Sequence, residues 1–316
     1  MIISASRRTD LPAAYAEWLL RRLSEGYALV RNPMNPHCVQ RIDLRPECVD
    51  GIVLWTKNPA PMLERLDALK PYAYYFQYTL TAYERDVERN LPAHDVRLNS
   101  FLRLSERLGP ERVLWRYDPI LLSARHPVDW HLEAFRRFAE RLRGATGQVT
   151  ISFVDTYARN RKRLKALGAQ PIQETEMRSI ASEIAKLAAA SGMTAVACSE
   201  AIDLHDCGIA PARCVDAERL SRIGGVPLSA GKDPNQRGAC GCAPSVDIGA
   251  YNTCPNGCGY CYANYAPALL AANLRSADEL SPLLCSMIGE GDRIVQRKMP
   301  SLRETQTVMN FEGREP

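Results

Sequence analysis

The chain has 316 residues, of which 46% are hydrophobic and 24% charged, with a net charge of +4. These values are typical of a globular protein with a buried core and exclude an extensively disordered chain. A net charge this small gives no argument for nucleic-acid binding. The sequence contains no run of about 18 apolar residues that could span a bilayer. Its first residues also lack the basic-then-apolar order of a signal peptide, so we expect a cytoplasmic protein.

Short apolar strands alternate with amphipathic helices along the first 200 residues. Six strands are predicted, at Ile2–Ser6, Ile52–Trp55, Tyr74–Leu80, Val113–Tyr117, Val149–Val154 and Thr194–Ala197. The helices between them are predicted at Pro12–Glu25, Met62–Leu69, in the residues up to Leu108, and at Val128–Leu142, Ala158–Leu167 and Glu174–Ala190. This alternation indicates an α/β fold with a parallel sheet that is closed or nearly closed into a barrel.

The alternation stops after residue 200, where loops and one helix around Val215–Ile223 are predicted. A seventh strand at Val246–Tyr251 leads into a group of cysteines, and a helix at Ala263–Leu274 follows. The basic residues Arg293–Arg314 are predicted to be irregular. We therefore divide the chain into six β/α units (1–200), a cysteine-rich loop segment with an auxiliary metal site (201–245), a last strand, loop and helix completing the same barrel (246–290), and a basic tail (291–316).

Most of the predicted strands end in polar or charged residues. In parallel (β/α) barrels the active site lies at the carboxyl ends of the strands. One such residue is explained equally well by a strand that runs out into solvent, but a set of them beside a cysteine loop favours a shared site. The candidates to bind or protonate a substrate are Arg7, Arg8, Arg116, Asp118, Asp155 and Glu200. The cationic members suggest an anionic group on that substrate.

Three of the 11 cysteines form the stretch Cys254-Pro-Asn-Gly-Cys258-Gly-Tyr-Cys261. Thiolates are soft ligands that select iron–sulfur clusters, zinc or Cu(I) over hard cations. Four cysteines would close a structural site, whereas three leave one metal position open. The spacing alone permits zinc, an iron–sulfur cluster or plain thiols. Outside the cysteine-rich part of the chain, Cys38, Cys48 and Cys285 are predicted to be inert thiols.

A Cx3Cx2C loop between a strand and a helix, with an aromatic residue before the third cysteine, resembles the radical S-adenosylmethionine (SAM) superfamily. The resemblance implies that Cys254, Cys258 and Cys261 hold a 4Fe-4S cluster whose open iron binds SAM, and that Tyr260 packs near the adenine. It also implies reductive cleavage of SAM to a 5′-deoxyadenosyl radical, which abstracts hydrogen from the substrate. The electron donor would be a flavodoxin or a ferredoxin.

The cysteine loop follows the last strand here, whereas the superfamily carries it after the first. A circular permutation accounts for this, and it predicts that Val246–Tyr251 lies beside Ile2–Ser6 in a partial or complete TIM-like barrel. In the permuted order Thr56-Lys57 and Tyr117-Asp118-Pro119-Ile120 resemble segments of the spore photoproduct lyase-like branch. That likeness implies that Lys57 contacts the carboxylate of SAM, with help from Thr79. The Gly-Gly-Glu segment that many members use for the amine of SAM is missing.

The whole chain also resembles a widespread prokaryotic family of unknown function. The resemblance rests on an opening Ser-Ala-Ser-Arg-Arg-Thr-Asp, an internal Trp-Thr-Lys-Asn-Pro and a final Tyr-Asn-Thr-Cys-Pro…Cys-x-x-Cys-Tyr-Ala-Asn. It covers nearly all of the sequence but implies no activity.

A second group of cysteines lies just before the seventh predicted strand. We expect an auxiliary 4Fe-4S cluster or a four-thiolate zinc site on Cys198, Cys214, Cys240 and Cys242, with Cys207 as the spare thiol. Unliganded thiols are the remaining alternative, and five cysteines in so short a loop segment argue against it. A histidine could replace one thiol, but a lone loop residue such as His205 is more often a solvated side chain.

The sequence thus predicts a radical SAM enzyme that acts on an unknown small-molecule or nucleotide-type substrate. The alternative is a zinc- or iron–sulfur-binding structural or nucleic-acid-binding protein without SAM chemistry. The basic stretch Arg159-Asn-Arg-Lys-Arg-Leu-Lys165 is explained most simply as a solvated helix face. It could also steer a phosphate-bearing substrate, and the likeness to photoproduct lyase makes DNA one candidate. No helix-turn-helix, zinc-finger or aromatic RNA-reading signature supports that candidate.

Overall fold

The computed structural model describes residues 1–304 and is built on a parallel β-sheet. In chain order the strands are β1 (Ile2–Ala5), β2 (Tyr27–Asn32), β3 (Asn35–Asp43), β4 (Gly51–Thr56), β5 (Tyr74–Thr79), β6 (Val113–Ile120), β7 (Gln148–Phe153), β8 (Thr194–Ala197), β9 (Ala210–Pro211), β10 (Ser245–Asp247) and β11 (Arg293–Gln296). The α-helices are α1 (Leu11–Ala14), α2 (Ala16–Glu25), α3 (His94–Leu108), α4 (Val128–Arg141), α5 (Arg161–Ala166), α6 (Glu174–Ala190), α7 (Ala217–Gly224) and α8 (Pro267–Arg275). Three 3-10 helices lie at Ala60–Leu69, Pro110–Arg112 and His205–Cys207.

Eight strands form one sheet in the order β10-β1-β4-β5-β6-β7-β8-β9, and every ladder in it is parallel. All carboxyl ends therefore lie along one edge of the sheet. In residues 1–304 no ladder joins the outermost strands β10 and β9, so the sheet is open. The α/β class with a parallel sheet is confirmed, and the sheet is compatible with a partial barrel.

The predicted neighbour relation between the last and first strands of the sheet is also confirmed. Ile3 is in register with Val246, and Ser4 with Asp247. The last strand is shorter than predicted, because the chain turns after Asp247, whose carboxylate accepts a hydrogen bond of 3.0 Å from the amide of Gly249.

Four strands were not predicted from the sequence, and one of them is the two-residue β9 at the edge of the large sheet. Strands β2 and β3 form an antiparallel pair, and β11 lies parallel to β3 in a separate three-stranded sheet. Prolines 33 and 36 interrupt the apolar pattern of the pair, and all four residues of β11 are exposed, so neither segment gives a clear strand signal. The prediction of an irregular tail is therefore wrong at Arg293–Gln296. The part of that tail from 305 to 316 lies outside the described residues.

Two helix boundaries also differ from the prediction. The first predicted helix is divided at Tyr15 into α1 and α2. Helix α8 begins at Pro267 rather than at Ala263, because the side-chain oxygen of Asn252 accepts hydrogen bonds from the amides of Tyr265 and Ala266 and fixes them outside the helix. Among the described residues, no helix is both long and apolar enough to cross a membrane.

The two faces of the large sheet are covered differently. One face presents buried residues such as Ile3, Leu54 and Phe76 to the main core, where the helices pack. The other face carries Ile2, Val53, Tyr75 and Leu114, which pack against the cysteine-rich segment, including residues Ala212–Ala217 and Cys240–Ala243. The cysteine-rich segment therefore covers the face that would form the interior of a closed barrel.

Asp247 joins the carboxyl ends of β10 and β1. Its carboxylate accepts hydrogen bonds from the hydroxyls of Ser4 (3.1 Å) and Ser6 (2.5 Å) and from the amide of Arg7 (2.8 Å). Gly249 must lack a side chain here, since a Cβ atom would lie 2.2 Å from the Ser6 hydroxyl oxygen. The start of the chain is thus fixed to the strand that precedes the cysteine loop.

We predict that Asp247→Ala lowers the free energy of unfolding by about 2–4 kcal/mol, because several partly buried donors lose their acceptor. Urea denaturation with a two-state fit measures this change. Asp67→Ala is the control, since the side chain of Asp67 is 80% exposed and its one ion pair within residues 1–304 is with exposed Lys70. Equal losses in the two variants would contradict the role given to Asp247.

Candidate functional site: a cysteine-lined cavity at the strand ends

A cavity of about 520 Å³ opens at the carboxyl edge of the parallel sheet. Both cysteine groups predicted from the sequence line it: the first consists of Cys254, Cys258 and Cys261, and the second of Cys198, Cys214, Cys240 and Cys242. The predicted strand-end residues that line it are Arg7, Arg8, Lys57, Thr79, Arg116, Asp118 and Asp155, and Tyr260 lines it as well. The fold therefore brings together groups that are up to 250 residues apart in the sequence.

The loop Cys254–Cys261 is fixed by hydrogen bonds to its backbone. The side-chain amide of Asn90 donates to the Pro255 carbonyl (2.7 Å), and that of Asn264 donates to the Cys254 carbonyl (2.6 Å). Gly257 has a φ of +69°, and a Cβ atom there would lie 2.9 Å from the Asn90 side chain. A glycine is therefore required for both the turn and the close approach.

Burial shifts two of these thiols away from their ionised forms. It raises the pKa of Cys258 well above its ordinary value and raises that of Cys254 to about 12. Both thiols are therefore protonated at neutral pH in the absence of a positive group. A metal ion would supply that charge, since thiolates are the form that ligates metals.

The second cysteine group is connected by direct sulfur contacts. The Sγ atoms of Cys198 and Cys214 are 3.3 Å apart. The thiol of Cys242 is hydrogen-bonded to those of Cys214 and Cys240, and all four thiols are free. The hydrogen bond with Cys242 lowers the pKa of Cys240 to about 6. The predicted set of four thiols thus converges on one place.

Cys207 does not belong to either group. Its Sγ donates to the carbonyl of Arg178 at 3.6 Å, and it does not line the cavity. The interpretation of Cys207 as the spare thiol agrees with this position. Within residues 1–304, no group of three or more His, Cys, Asp or Glu side chains already has the arrangement of a metal site.

Arg116 connects the sheet to the second cysteine group. Its guanidinium donates to Asp118 (2.7 and 3.0 Å), to Gln77 (3.2 Å) and to the sulfur of Cys214 (3.0 Å). Burial opposes the charge of Arg116, but Asp118 and the thiols raise its pKa above the ordinary value. The carboxyl of Asp118, which also accepts from the Ser152 hydroxyl, likewise has a pKa that burial raises but Arg116 lowers overall. Neither side chain is free in the described structure.

A buried carboxylate, Glu88, lies behind the first cysteine loop and was not predicted from the sequence. It accepts hydrogen bonds from Lys57 Nζ (2.7 Å), Tyr260 Oη (2.5 Å) and Thr81 Oγ1 (2.9 Å), and Arg97 lies 3.2 Å from it. Burial raises the pKa of Glu88, but the two cations lower it below the ordinary value overall. No sequence motif marks this residue, because the contact depends on the folding of the loop after β5.

The Glu88 network fixes two residues that the family resemblance singled out. The ammonium of Lys57 lies 5.5 Å from the centre of the Tyr260 ring, so Glu88 and Tyr260 together position it beside the cysteine loop. The amide of Lys57 donates to Asp10 (2.8 Å), and so does the side chain of Asn256 (3.0 Å). Asp10 thus connects the end of β4 to the loop, and burial raises its pKa.

The remaining predicted residues differ in their availability. Arg7 and Arg8 lie over the rings of Trp55 (5.9 Å) and Tyr251 (5.1 Å) respectively. Asp155 is half exposed and pairs with Arg237 at 2.6 Å, and Thr79 lines the cavity.

Glu200 differs from the other predicted strand-end residues. The structure does not bring it into the cavity lining, because its carboxylate accepts a hydrogen bond of 2.9 Å from the amide of Phe153. Burial raises its pKa to about 7.

Residues 2–263 match the family described as Domain of unknown function (DUF1848), and the chain belongs to this family. The match includes both cysteine groups and all the strands of the large sheet. A search of curated proteins finds no match to the chain.

We predict that Glu88→Gln lowers the free energy of unfolding by about 3–5 kcal/mol at pH 7, because two buried cations lose their counter-charge. Denaturation of the wild type and the variant between pH 3 and pH 7 measures this difference. The pKa of Glu88 is lowered on folding, so its contribution is complete above its unfolded value of about 4.5 and is lost at lower pH. The difference between the two proteins should therefore narrow in acid.

Glu84→Gln is the matched control, since Glu84 is an exposed carboxylate four residues earlier in the same loop. A Glu88→Gln variant as stable as this control at pH 7 would contradict the ion-pair interpretation.

Proposed function

We propose that the protein is a radical SAM enzyme on a circularly permuted partial barrel. The observation that carries the proposal is the convergence of the Cx3Cx2C loop, Lys57 and Tyr260 on one cavity at the carboxyl edge of a parallel sheet. The pairing of β10 with β1 supports the permuted order, because it makes the strand before the loop a neighbour of the chain's first strand.

The residues present fit a 4Fe-4S cluster at the first cysteine group. Cys254, Cys258 and Cys261 are soft donors on one anchored loop, and three thiols leave a position for another ligand. When bound, such a cluster supplies the electron that cleaves SAM into methionine and a 5′-deoxyadenosyl radical, which takes a hydrogen atom from the substrate. The protein's own contribution is to bind, orient and exclude water.

Lys57 and Tyr260 are the residues that would position SAM. The side chain of Lys57 is 13% exposed and lines the cavity. Its ammonium can therefore contact the carboxylate of SAM while it keeps its ion pair with Glu88. Tyr260 is held by Glu88 at one end and by the Asn160 side chain at its carbonyl (3.0 Å), which fixes its ring beside the loop. Thr79 lines the same cavity on the next strand. The substrate would bind among Arg7, Arg8 and Asp155, the charged groups at the open side.

We predict that Cys258→Ala abolishes SAM cleavage. The assay is anaerobic reconstitution with iron and sulfide, reduction with dithionite, and quantification of 5′-deoxyadenosine. The wild type should hold about four irons at this site and the variant none. Cys207→Ala is the matched control, because Cys207 lies outside the cavity and should retain iron and cleavage. A colourless wild-type protein that holds only zinc and does not cleave SAM would contradict the proposal.

At the second cysteine group, zinc is the alternative to a 4Fe-4S cluster. In a tetrahedral zinc site with Zn–S bonds of about 2.3 Å, neighbouring sulfurs are ~3.8 Å apart. The 3.3 Å between the sulfurs of Cys198 and Cys214 is close to that spacing. A 4Fe-4S cluster places an iron under each thiolate and so holds the sulfurs further apart. This observation favours the zinc alternative at the second group, without bearing on the first.

We predict that Cys240→Ala removes the metal of the second group and leaves SAM cleavage intact. Metal analysis of the reconstituted protein should show the loss of either one zinc or about four irons, with 5′-deoxyadenosine formation retained. Cys48→Ala is the control, because this cysteine lies outside the cavity. Unchanged metal content in Cys240→Ala would show that the second group is a set of unliganded thiols.

A further inference from the structure

Four tyrosines cluster at the mouth of the cavity. Tyr157, Tyr251 and Tyr262 line it, and Tyr265 stands beside them. The ring centres of Tyr157 and Tyr262 are 5.9 Å apart, and those of Tyr251 and Tyr265 are 6.2 Å apart. Three of the four are 39–41% exposed, and they are the only tyrosines among the exposed large apolar side chains of residues 1–304. We call this group the tyrosine rim.

Guanidinium groups lie against the rim. Arg159 is 4.3 Å from the ring centre of Tyr265 and 5.5 Å from that of Tyr251, while Arg8 is 5.1 Å from Tyr251 on the same ring. In the part of the chain that the structure describes, Arg159 has no carboxylate within 4.0 Å. Its charge is therefore available to an anionic ligand at the rim.

The stretch 159–165 extends this positive charge beyond the rim. It contains five basic residues and no acidic one. Arg163 points inward and donates to the carbonyls of Cys261 and Asn264, so the stretch is fixed to the cysteine loop. Arg161, Lys162 and Lys165 are exposed. The basic face is thus held in a defined position next to the tyrosines.

Asp155, a carboxylate in the cavity lining, does not neutralise this surface. Asp155 is already engaged by Arg237 (2.6 Å) and by the hydroxyl of Tyr157 (2.8 Å). Arg8 pairs with Asp247 at 3.9 Å, but Arg159 and the exposed basic residues of 159–165 form no ion pair within the described residues. The mouth of the cavity therefore combines flat aromatic faces with uncompensated cations. Single-stranded nucleic acid carries the matching groups, since its unpaired bases stack on aromatic side chains and its phosphates pair with arginine and lysine. An acidic peptide would match the charge but not the faces, and a duplex hides the faces of its bases.

We infer that the tyrosine rim and the basic stretch 159–165 bind single-stranded nucleic acid, with one nucleotide directed into the cavity. The inference rests on the proposed function for its catalytic meaning, because it names the substrate class of that cavity. The binding itself requires only residues in the described structure. It also gives the basic stretch a binding function in place of the simpler interpretation as a solvated helix face.

Fluorescence anisotropy with a labelled single-stranded oligonucleotide of about 20 residues, as DNA and as RNA, tests the inference on the reconstituted full-length protein. Binding should weaken with added salt. Tyr265→Leu should weaken it about tenfold, because the stacking face is lost. Tyr265→Phe, which keeps the ring, should bind like the wild type. Arg159→Gln should weaken binding and reduce the salt dependence by about one phosphate contact.

Arg21→Gln is the charge-matched control, since Arg21 is exposed on α2 and does not line the cavity. Equally tight binding of the duplex form, or of heparin, with Tyr265→Leu unaffected would overturn the inference and leave a general polyanion surface. No salt-dependent binding of the single strand would also overturn it. Should Tyr265→Leu unfold, Arg159→Gln decides the outcome alone.

The failure of this inference and that of the proposed function are distinguishable. Oligonucleotide binding without any SAM cleavage would leave the binding site and remove the radical SAM proposal. SAM cleavage without oligonucleotide binding would support the radical SAM proposal and remove the nucleic-acid binding site.

Discussion

The carboxylate of Asp247 accepts hydrogen bonds from Ser4, Ser6, Arg7 and Gly249, and the rest of the site depends on this contact. It joins the carboxyl ends of β10 and β1. It adds side-chain hydrogen bonds to the backbone ladder that already pairs the strand before the cysteine loop with the first strand. Because all eight strands are parallel, their carboxyl ends lie along one edge of the sheet. A cavity between distant sequence segments follows from these two constraints.

The cysteine-rich segment has a structural role in addition to any metal it binds. The sheet face that carries Val53 and Tyr75 is apolar and needs a cover. The hydroxyl of Tyr75 and the side-chain amide of Gln77 both donate to the Cys214 carbonyl, at 2.7 and 2.9 Å. Because the segment is attached to the sheet by its backbone, its thiols point into the cavity from a fixed position. An open sheet can thus keep this apolar face covered without closing into a complete barrel.

Charge is organised in two layers around the cavity. The inner layer is paired: Glu88 holds Lys57 and Arg97, and Asp118 holds Arg116. Such buried pairs fix positions, since each member would be costly to bury alone. The outer layer, around the tyrosine rim and residues 159–165, carries an excess of positive charge. The inner layer suits a cofactor that must be held in one orientation, and the outer layer suits a ligand that arrives from solution.

The fold class and most strands could be read from the sequence, because apolar runs bounded by polar residues are local signals. The division of the cavity cysteines into two groups could be predicted as well, since cysteine spacing is visible without a structure. The hairpin at Tyr27–Asp43 could not, because proline and exposed polar residues mask its alternation. Glu88 lies in no motif, and the opening motif that ends at Asp10 implied no role for that residue. The roles of both come from long-range contacts with the cysteine loop. Glu200 had the right sequence position, but its side chain turned to the amide of Phe153.

By itself, then, the sequence determined which residue types are present and which strands carry them toward one edge. The tertiary structure decided which of those residues face each other, because side-chain pairing depends on register and on the packing of neighbouring loops. The pairing of β10 with β1 is the clearest case. The sequence made it a hypothesis, and the parallel register of Ile3 with Val246 is a property that only the folded sheet has.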